Sequence, residues 1–357
     1  MKIGILTFHR AHNYGAVLQC YALQQILKIA GHDVYVIDYR QPTIEHSYKV
    51  WSIVEILKNL FHLKSVYVYF RTLKRRKRTQ RFFEDFSFYF NLSEPCNANN
   101  IPVFDAYIIG SDQLWVPRLT GGNLDLVYIG QFCHLNNSKI LSYAISMNTK
   151  TIDSISQDKW INISANFDIL SFREEEMACK MGAIIDRKIR VDIDPTLLLD
   201  ASQWDIITNE HWKNEKYILV YHLPGRFTKM SYDLFMKKTR EIAYKRKCKL
   251  ISLYPMDYSV FDFVSLFKYA DCVITTSFHA TVFALIYERP LLSIVLNDGL
   301  DNRYVNLLNK VGGEKALVGM DMNNGIFPLL PYNKIKKQIS LYAKSSLDYL
   351  NHLTDYY

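Results

Sequence analysis

No Cys-x-x-Cys pair occurs among the six cysteines, Cys20, Cys96, Cys133, Cys179, Cys248 and Cys272, which are scattered along the chain. That spacing excludes a cysteine-based zinc site and a disulfide framework, so the thiols read as reduced and mostly buried. No apolar stretch reaches the ~18–20 residues without charge that a membrane-spanning helix needs. The opening MKIGILTFHR meets His9 and Arg10 after a short apolar run and has no small-residue cleavage site, so it reads as a first core strand rather than a leader. A cytoplasmic protein is expected, and Asn-x-Ser triplets such as Asn91–Ser93 then carry no glycosylation meaning. Low-complexity tracts are absent, and with 49% hydrophobic residues the chain is expected to fold throughout. Gly-x-Gly-x-x-Gly is also missing, which removes the dinucleotide fingerprint.

Acidic residues are outnumbered, 35 against 43 Lys and Arg, giving a net charge of +8. The excess is concentrated in Arg71, Lys74, Arg75, Arg76, Lys77, Arg78 and Arg81, flanked by Tyr67, Tyr69, Phe70, Phe82, Phe83 and Phe86. This run reads as a solvated helix face. Its alternative is an interfacial amphipathic helix that touches an anionic membrane from the cytoplasmic side. No nucleic-acid module accompanies it, and no nucleic-acid partner is expected.

A chain of 357 residues is too long for one simple core and suits two domains. Apolar runs alternate with helical periodicity in both halves. The strands expected are Lys2–Phe8, Val34–Tyr39, Ala106–Gly110, Lys139–Ile145, Phe167–Ser171, Ile189–Ile193, Tyr217–His222, Lys249–Leu253, Cys272–Thr276 and Leu291–Leu296. Helices are expected over Gly15–Ala30, near Ser154–Asn162, from Phe172 to Gly182, and over Ser231–Arg246, Ser259–Tyr269, Phe278–Tyr287, Asn302–Val311 and Lys334–Leu353. The β-α-β rhythm implies an α/β fold with parallel sheets and right-handed crossovers. It divides the chain into an N-terminal domain, 1–200, with a helical aromatic and basic insertion at 41–100, and a C-terminal domain, 201–330. A terminal helix in 331–357 is expected to pack back on the N-terminal domain. Two such domains, each with a ligand edge, suggest a cleft between them.

Ligands in open α/β sheets bind beyond the carboxyl ends of the strands, so the residues there are the candidates. In the first half these are Asn13 and Gly15, Ser111 and Asp112 in Gly-Ser-Asp-Gln-Leu-Trp, and Arg173. Asn13 and Gly15 could equally shape the turn. Asp112 reads as a general base or an Asx-turn residue, and Arg173 as an anion clamp or the ion-pair partner of Glu174–Glu176. Asp192-x-Asp194 invites a metal reading. It precedes Pro195 without a further carboxylate cluster, so turn and cap chemistry is preferred and no metal is expected.

The second half offers Asp271–Leu296. A short β-branched strand runs into an apolar helix at Ser277, which aims the N–H groups of Phe278, His279 and Ala280 above the sheet. Such a start favours an anion, and His279 is the one ionisable side chain there before Glu288. Thr276 and Ser277 join it as contacts, and Arg303 in the first turn of the next helix could reach the same anion.

Several of these segments resemble the polysaccharide pyruvyl transferase family. They are Gly15-Ala-Val-Leu-Gln-x-Tyr-Ala-Leu, Gly110-Ser-Asp-Gln-x-Trp, Ser142-Tyr-Ala, Ser171-x-Arg-Glu, Asp194-Pro-Thr-Leu-Leu, Thr276-Ser-Phe-His-Ala-x-Val-Phe-Ala, and Arg303 with Leu307-Leu308. They occur in the family's order. The resemblance implies a GT-B-like fold, two Rossmann-type α/β domains whose parallel sheets face a cleft. It also implies transfer of pyruvate from phosphoenolpyruvate to two hydroxyls of a sugar or lipid-linked oligosaccharide in the synthesis of capsule or exopolysaccharide. Phosphoenolpyruvate is then the donor substrate, and no separate cofactor is expected. His279 would donate the proton and Asp112 would activate the acceptor. Arg173, Arg303 and the helix start would hold the donor. Relatives carry an arginine where this chain has Ser277, and a GT-B-like glycosyltransferase with a nucleotide-sugar donor is the alternative.

Overall fold

The computed structural model describes residues 1–49, 52, 54, 73, 77, 80, 82, 89–132, 138–223, 225–254 and 257–353. Of the helical insertion expected at 41–100, the stretch 50–88 lies outside the described residues except at single positions, as do the basic run apart from Lys77 and Cys133. The chain divides into two compact units, one of residues 1–198 with 345–357 and one of residues 199–344. Both are α/β with an all-parallel sheet, so two Rossmann-type units follow one another in a GT-B-like chain.

The first unit has strands β1 (Lys2–Leu6), β2 (Asp33–Val36), β3 (Ala106–Asp112), β4 (Lys139–Ile145), β5 (Ser171–Phe172) and β6 (Arg190–Val191), in the order β2-β1-β3-β4-β5-β6. The central strands are buried along nearly their whole length, as their continuous Ile, Leu and Tyr runs require in a sheet covered on both faces. Strand order reverses between β1 and β3, the topological switch point at which such sheets bind ligands. The helix after β1, Tyr14–Ile29, starts at Asn13, whose side chain accepts from the N–H groups of Gly15 and Ala16. Asn13 is thus an N-cap, the turn-shaping reading, and Gly15 is buried in the first helical turn.

The single helix expected near Ser154–Asn162 is two, Thr149–Asp153 and Gln157–Ser164. Ser154 ends the first and Ser156 stands at the N-cap position of the second. The last strand is shorter than the expected Ile189–Ile193: the Asp192 N–H still donates to the Phe172 carbonyl at 2.9 Å, but the Ile193 N–H donates to the Ser346 hydroxyl at 3.2 Å and Asp194 starts the turn Pro195–Leu197. Residues 345–353 belong to the same unit through the end of the Tyr332–Asn351 helix. The Ser346 hydroxyl donates to Asp192 at 2.8 Å, and the Tyr349 ring stacks on Tyr143 at 6.4 Å.

The second unit has strands β7 (Tyr217–Tyr221), β8 (Lys249–Ser252), β9 (Cys272–Thr275), β10 (Leu291–Ile294) and β11 (Leu317–Val318), ordered β11-β10-β9-β7-β8. The two-residue β11 was not expected, being too short to show alternation. Here the order reverses between β7 and β9. The helix that follows β9, Phe278–Ile286, is buried at every position. Phe283 alone packs its ring against Trp204, Phe263 and Phe267 at 4.9–5.9 Å. The Val260–Tyr269 helix is held at its start by a reciprocal capping box between Ser259 and Asp262.

No described helix is long and apolar enough to cross a membrane. Cys20, Cys96, Cys179, Cys248 and Cys272 are free thiols, the first two and the last of them buried.

Candidate functional site

In the first unit the carboxyl ends of β1, β3, β4 and β5, with the turn after β6, are joined by one polar network. Gln19 donates to Thr7 Oγ1 at 2.8 Å and accepts from the Ser111 N–H at 3.1 Å. Thr7 Oγ1 donates to the Ser111 carbonyl at 3.1 Å, and the Ser111 hydroxyl donates to the Ala144 carbonyl at 3.2 Å. That hydroxyl also accepts from Arg173 Nη2. The same Nη2 lies 2.8 Å from Asp194 Oδ2, with 6% and 0% of the two side chains exposed. Arg173 is therefore paired with Asp194 across the sheet end. Glu174 accepts from the Ser146 hydroxyl at 2.7 Å.

Asp194 also caps the turn Pro195–Leu197 by accepting from the Thr196 N–H, while Asp192 accepts from the Ser171 hydroxyl and pairs with Arg190 at 3.0 Å. Both carboxylates of the Asp-x-Asp motif have cations and caps as partners. Asp112 follows directly, half-buried, in the left-handed region at φ 79, which Asp tolerates better than most residues. Its carbonyl accepts from Ser146 N–H at 3.0 Å. Gly110 has φ 141, and any side chain there would run into the Tyr143 carbonyl, which explains a glycine before Ser111.

His9, at the end of β1, is buried, and its Nε2 is 3.1 Å from Asp38. Burial pushes the Asp38 carboxyl up, but the contacts with His9, Arg40 and Arg10 outweigh it and hold it low. This cluster fastens β1 to the chain after β2.

In the second unit, threonines tie the ends of β7 and β9 together. Thr275 Oγ1 donates to the Tyr221 carbonyl at 2.6 Å and accepts from the Ser277 N–H at 2.9 Å. Leu223 N–H donates to Thr276 Oγ1 at 3.2 Å. Ser277 occupies the N-cap position with extended backbone, but its side chain makes no capping bond. His279 and Ala280 are in the first turn, and the Phe278 ring meets the His279 ring edge-on at 5.1 Å. Arg303 is half-buried in the first turn of the Asn302–Val311 helix. Thr276, Ser277, Phe278, His279 and Ala280 are thus gathered at one strand end in this unit, and Ser111, Asp112 and Arg173 at another in the first.

Two residues at the second unit's switch point escaped the sequence reading. His222, just beyond β7, is 3% exposed and ringed by Phe227, Tyr232, Phe235 and Tyr254 at 4.9–5.9 Å. Neither ring nitrogen completes a hydrogen bond. Burial lowers its pKa, with the Leu223 backbone pulling the other way. Arg226 is almost wholly buried and bonded to the Thr276 carbonyl at 2.6 Å. Their signal in the sequence was position alone, the first residues after a core strand.

The profile of the polysaccharide pyruvyl transferase family matches residues 13–298, well over half of the chain and all candidates except Arg303. The chain belongs to the polysaccharide pyruvyl transferase family. No curated protein matches it. Among solved structures, it is similar to the UDP-GlcNAc 2-epimerase of Neisseria meningitidis bound to UDP-GlcNAc. The identity is 13%, 99% of this chain and 98% of that one are covered, and the TM-score is 0.47. The UDP-GlcNAc 2-epimerase of Methanocaldococcus jannaschii gives 12% identity over 96% and 93% with a TM-score of 0.47. A spinosyn forosaminyltransferase gives 10% over 99% and 98% with a TM-score of 0.40. The pyruvyl transferase match spans both strand-end clusters described above.

Proposed function

We propose that this pyruvyl transferase moves pyruvate from phosphoenolpyruvate to two hydroxyls of a sugar, forming a cyclic ketal in cell-surface polysaccharide synthesis. The family match over 13–298 carries this reading. The buried helix start at Ser277–Ala280, with His279 in its first turn, supports it chemically.

In the overall reaction two sugar oxygens form bonds to C2 of the donor, and the C2–O bond to phosphate breaks. One hydroxyl proton is balanced by the proton gained at the methylene carbon, which becomes a methyl, and the other is balanced on the departing phosphate. In our reading His279 supplies the proton to the methylene. The N–H groups of the Phe278–Ile286 helix start, with Thr276, Ser277 and Arg303, hold the donor's anionic groups. Asp112 is our candidate to take the proton of the attacking hydroxyl. Arg173, already fixed by Ser111 and Asp194, supplies a preorganised positive charge. One positioned acid or base contributes roughly 10²–10⁴ in rate, so both His279 and Asp112 are needed. The chemistry as written needs no metal ion. The acceptor is a free or lipid-linked oligosaccharide, which basic residues 71–81 would bring near through an anionic membrane surface. Sedimentation with vesicles that shows no preference for anionic lipid removes that contact.

Incubation with phosphoenolpyruvate and galactoside acceptors is expected to release phosphate in step with a gain of pyruvate, less water, on the sugar. His279→Ala is expected to keep its melting temperature and lose about 10²–10⁴-fold in turnover. Pyruvate-free sugar, together with hydrolysis of a nucleotide sugar in the same assay, would replace the reading with a glycosyltransferase.

A further inference from the structure

Arg226 follows Gly225 in the loop after β7, and its side chain is 2% exposed. Nη1 donates to the Thr276 carbonyl at 2.6 Å, so the guanidinium lies against the residue preceding the N-cap of the Phe278–Ile286 helix. Two carboxylates share this one cation, and they are held differently. Asp301 is 3% exposed and accepts from the N–H groups of Leu296 at 2.9 Å and Asn297 at 2.6 Å, and from the Tyr304 hydroxyl. It is built into the turn and cannot leave without stranding those donors.

Asp298 is the removable one. Its side chain is 29% exposed, in a surface turn where Asn297 and Gly299 have φ 57 and 79. Its two oxygens take the Nε and Nη2 edge of Arg226 side by side, at 2.8 and 2.6 Å. Its other bond is from the Leu300 N–H at 2.9 Å, within its own loop. The Nε/Nη2 edge is the planar fork by which arginine recognises a carboxylate or phosphate. Among the described residues, Asp298 and Asp301 both pair with this one guanidinium.

We propose that Asp298 is an internal stand-in for the ligand, and that the carboxylate of a small anionic substrate displaces it from the Nε/Nη2 edge of Arg226. This rests on the reading of the adjacent helix start as the donor site. The exchange replaces one carboxylate by another, so the buried guanidinium is never left without a counter-charge, which would be far costlier than the swap. It also places the incoming anion beside N–H groups that a side-chain carboxylate on the outer loop does not use. Asp301 meanwhile keeps Arg226 in position in both states.

The test is a comparison of Asp298→Ala and Asp298→Asn with wild type and with Arg226→Lys, by calorimetric titration with phosphoenolpyruvate, pyruvate, inorganic phosphate and UDP, beside the pyruvate-transfer assay. Removing the competing carboxylate is expected to tighten phosphoenolpyruvate by at least about tenfold and to lower its KM. Arg226→Lys, which loses the fork, is expected to weaken it by a similar factor, and Arg226→Lys/Asp298→Ala should show no gain over Arg226→Lys. Pyruvate should tighten in Asp298→Ala more than inorganic phosphate does, since it brings the planar carboxylate. If wild type transfers pyruvate but Asp298→Ala and Asp298→Asn, folded by near-UV circular dichroism, bind phosphoenolpyruvate no better, the exchange is wrong and the function stands. If pyruvate and phosphoenolpyruvate tighten but no pyruvate is transferred to any acceptor, the exchange stands and the transfer reading falls; if only UDP tightens, which has no carboxylate, both fall. The asparagine variant keeps the loop's shape should alanine disorder it.

Discussion

His222 shows how much a single residue can determine at the second unit's switch point. A buried imidazole is costly to charge, and the surrounding Phe227, Tyr232, Phe235 and Tyr254 rings offer it no acceptor, so the Leu223 backbone offsets only part of that cost. Burial holds its folded pKa below the ordinary 6.5. Between those two values the unfolded chain binds a proton that the folded chain refuses, so stability rises with pH there. Acidification below about pH 6.5 is therefore expected to destabilise the protein, and His32, lowered in the same sense by burial, adds to the trend. His222→Phe, which keeps an aromatic ring in the cluster, should make the dependence shallower. Urea midpoints between about pH 5 and 7.5 check this, and an unchanged slope would show that His222 does not titrate in that window.

The residues legible in the sequence were those whose position along one element defines their role. Ser277 before an apolar helix, Asn13 before another, and Asp194 before a proline all stand at the expected caps or turns. What stayed hidden were partners distant in sequence. Arg173 meets Asp194 and Ser111, and Arg226 meets Asp298 and Asp301, because parallel crossovers bring together strand ends separated by tens of residues. Local charge spacing offered Arg173 an anion or its chain neighbours Glu174–Glu176, and could not show Asp194 as a partner. Sheet order, which the sequence does not print, brings that partner to it.

Among the elements, the Phe278–Ile286 helix depends on its neighbours more than on its own caps. It has no side-chain cap, yet every residue is buried, with Thr281 bonded both to the Ser277 carbonyl at 3.0 Å and to Ser293 at 2.7 Å. Helix Val260–Tyr269, packed against it through Phe263 and Phe267, has the stronger end. Ser259→Ala removes the hydroxyl that accepts from the Asp262 N–H at 3.0 Å, and is expected to cost about 1 kcal/mol. Chemical denaturation should show that loss as a shifted midpoint with an unchanged m-value. A loss of less than a few tenths would mean that packing alone holds the helix start. Element existence was readable from apolar periodicity, whereas the two-residue β11 was not, since pairing with β10 is what makes it a strand.

At the scale of the whole molecule, the first unit is built from two separated pieces of chain, 1–198 and 345–357. The returning piece contributes the fully buried Leu350, the Tyr349 ring on Tyr143, and the Ser346 hydroxyl on Asp192. Truncation after Lys344 would leave Asp192 without that donor and expose the apolar face beneath Tyr349 and Leu350. The expected outcome is a protein whose first unit melts earlier than the second. Limited proteolysis would then cut within 1–198 while sparing 199–344. Equal resistance of the two would show that the returning segment is dispensable.

That discontinuity also sets an order of events during synthesis. Residues 199–344 emerge as one uninterrupted stretch and can complete their sheet as soon as they are made. The first unit's earlier piece must wait for Ser345 onward, which at roughly 5–20 residues per second is a delay of roughly 7–30 s. Through that interval the polar network at the ends of β4, β5 and β6 lacks Ser346, and the nascent sheet keeps an uncovered edge. The sequence-later unit is therefore the one free to fold first, and chaperone binding to stalled nascent chains should concentrate on the N-terminal piece.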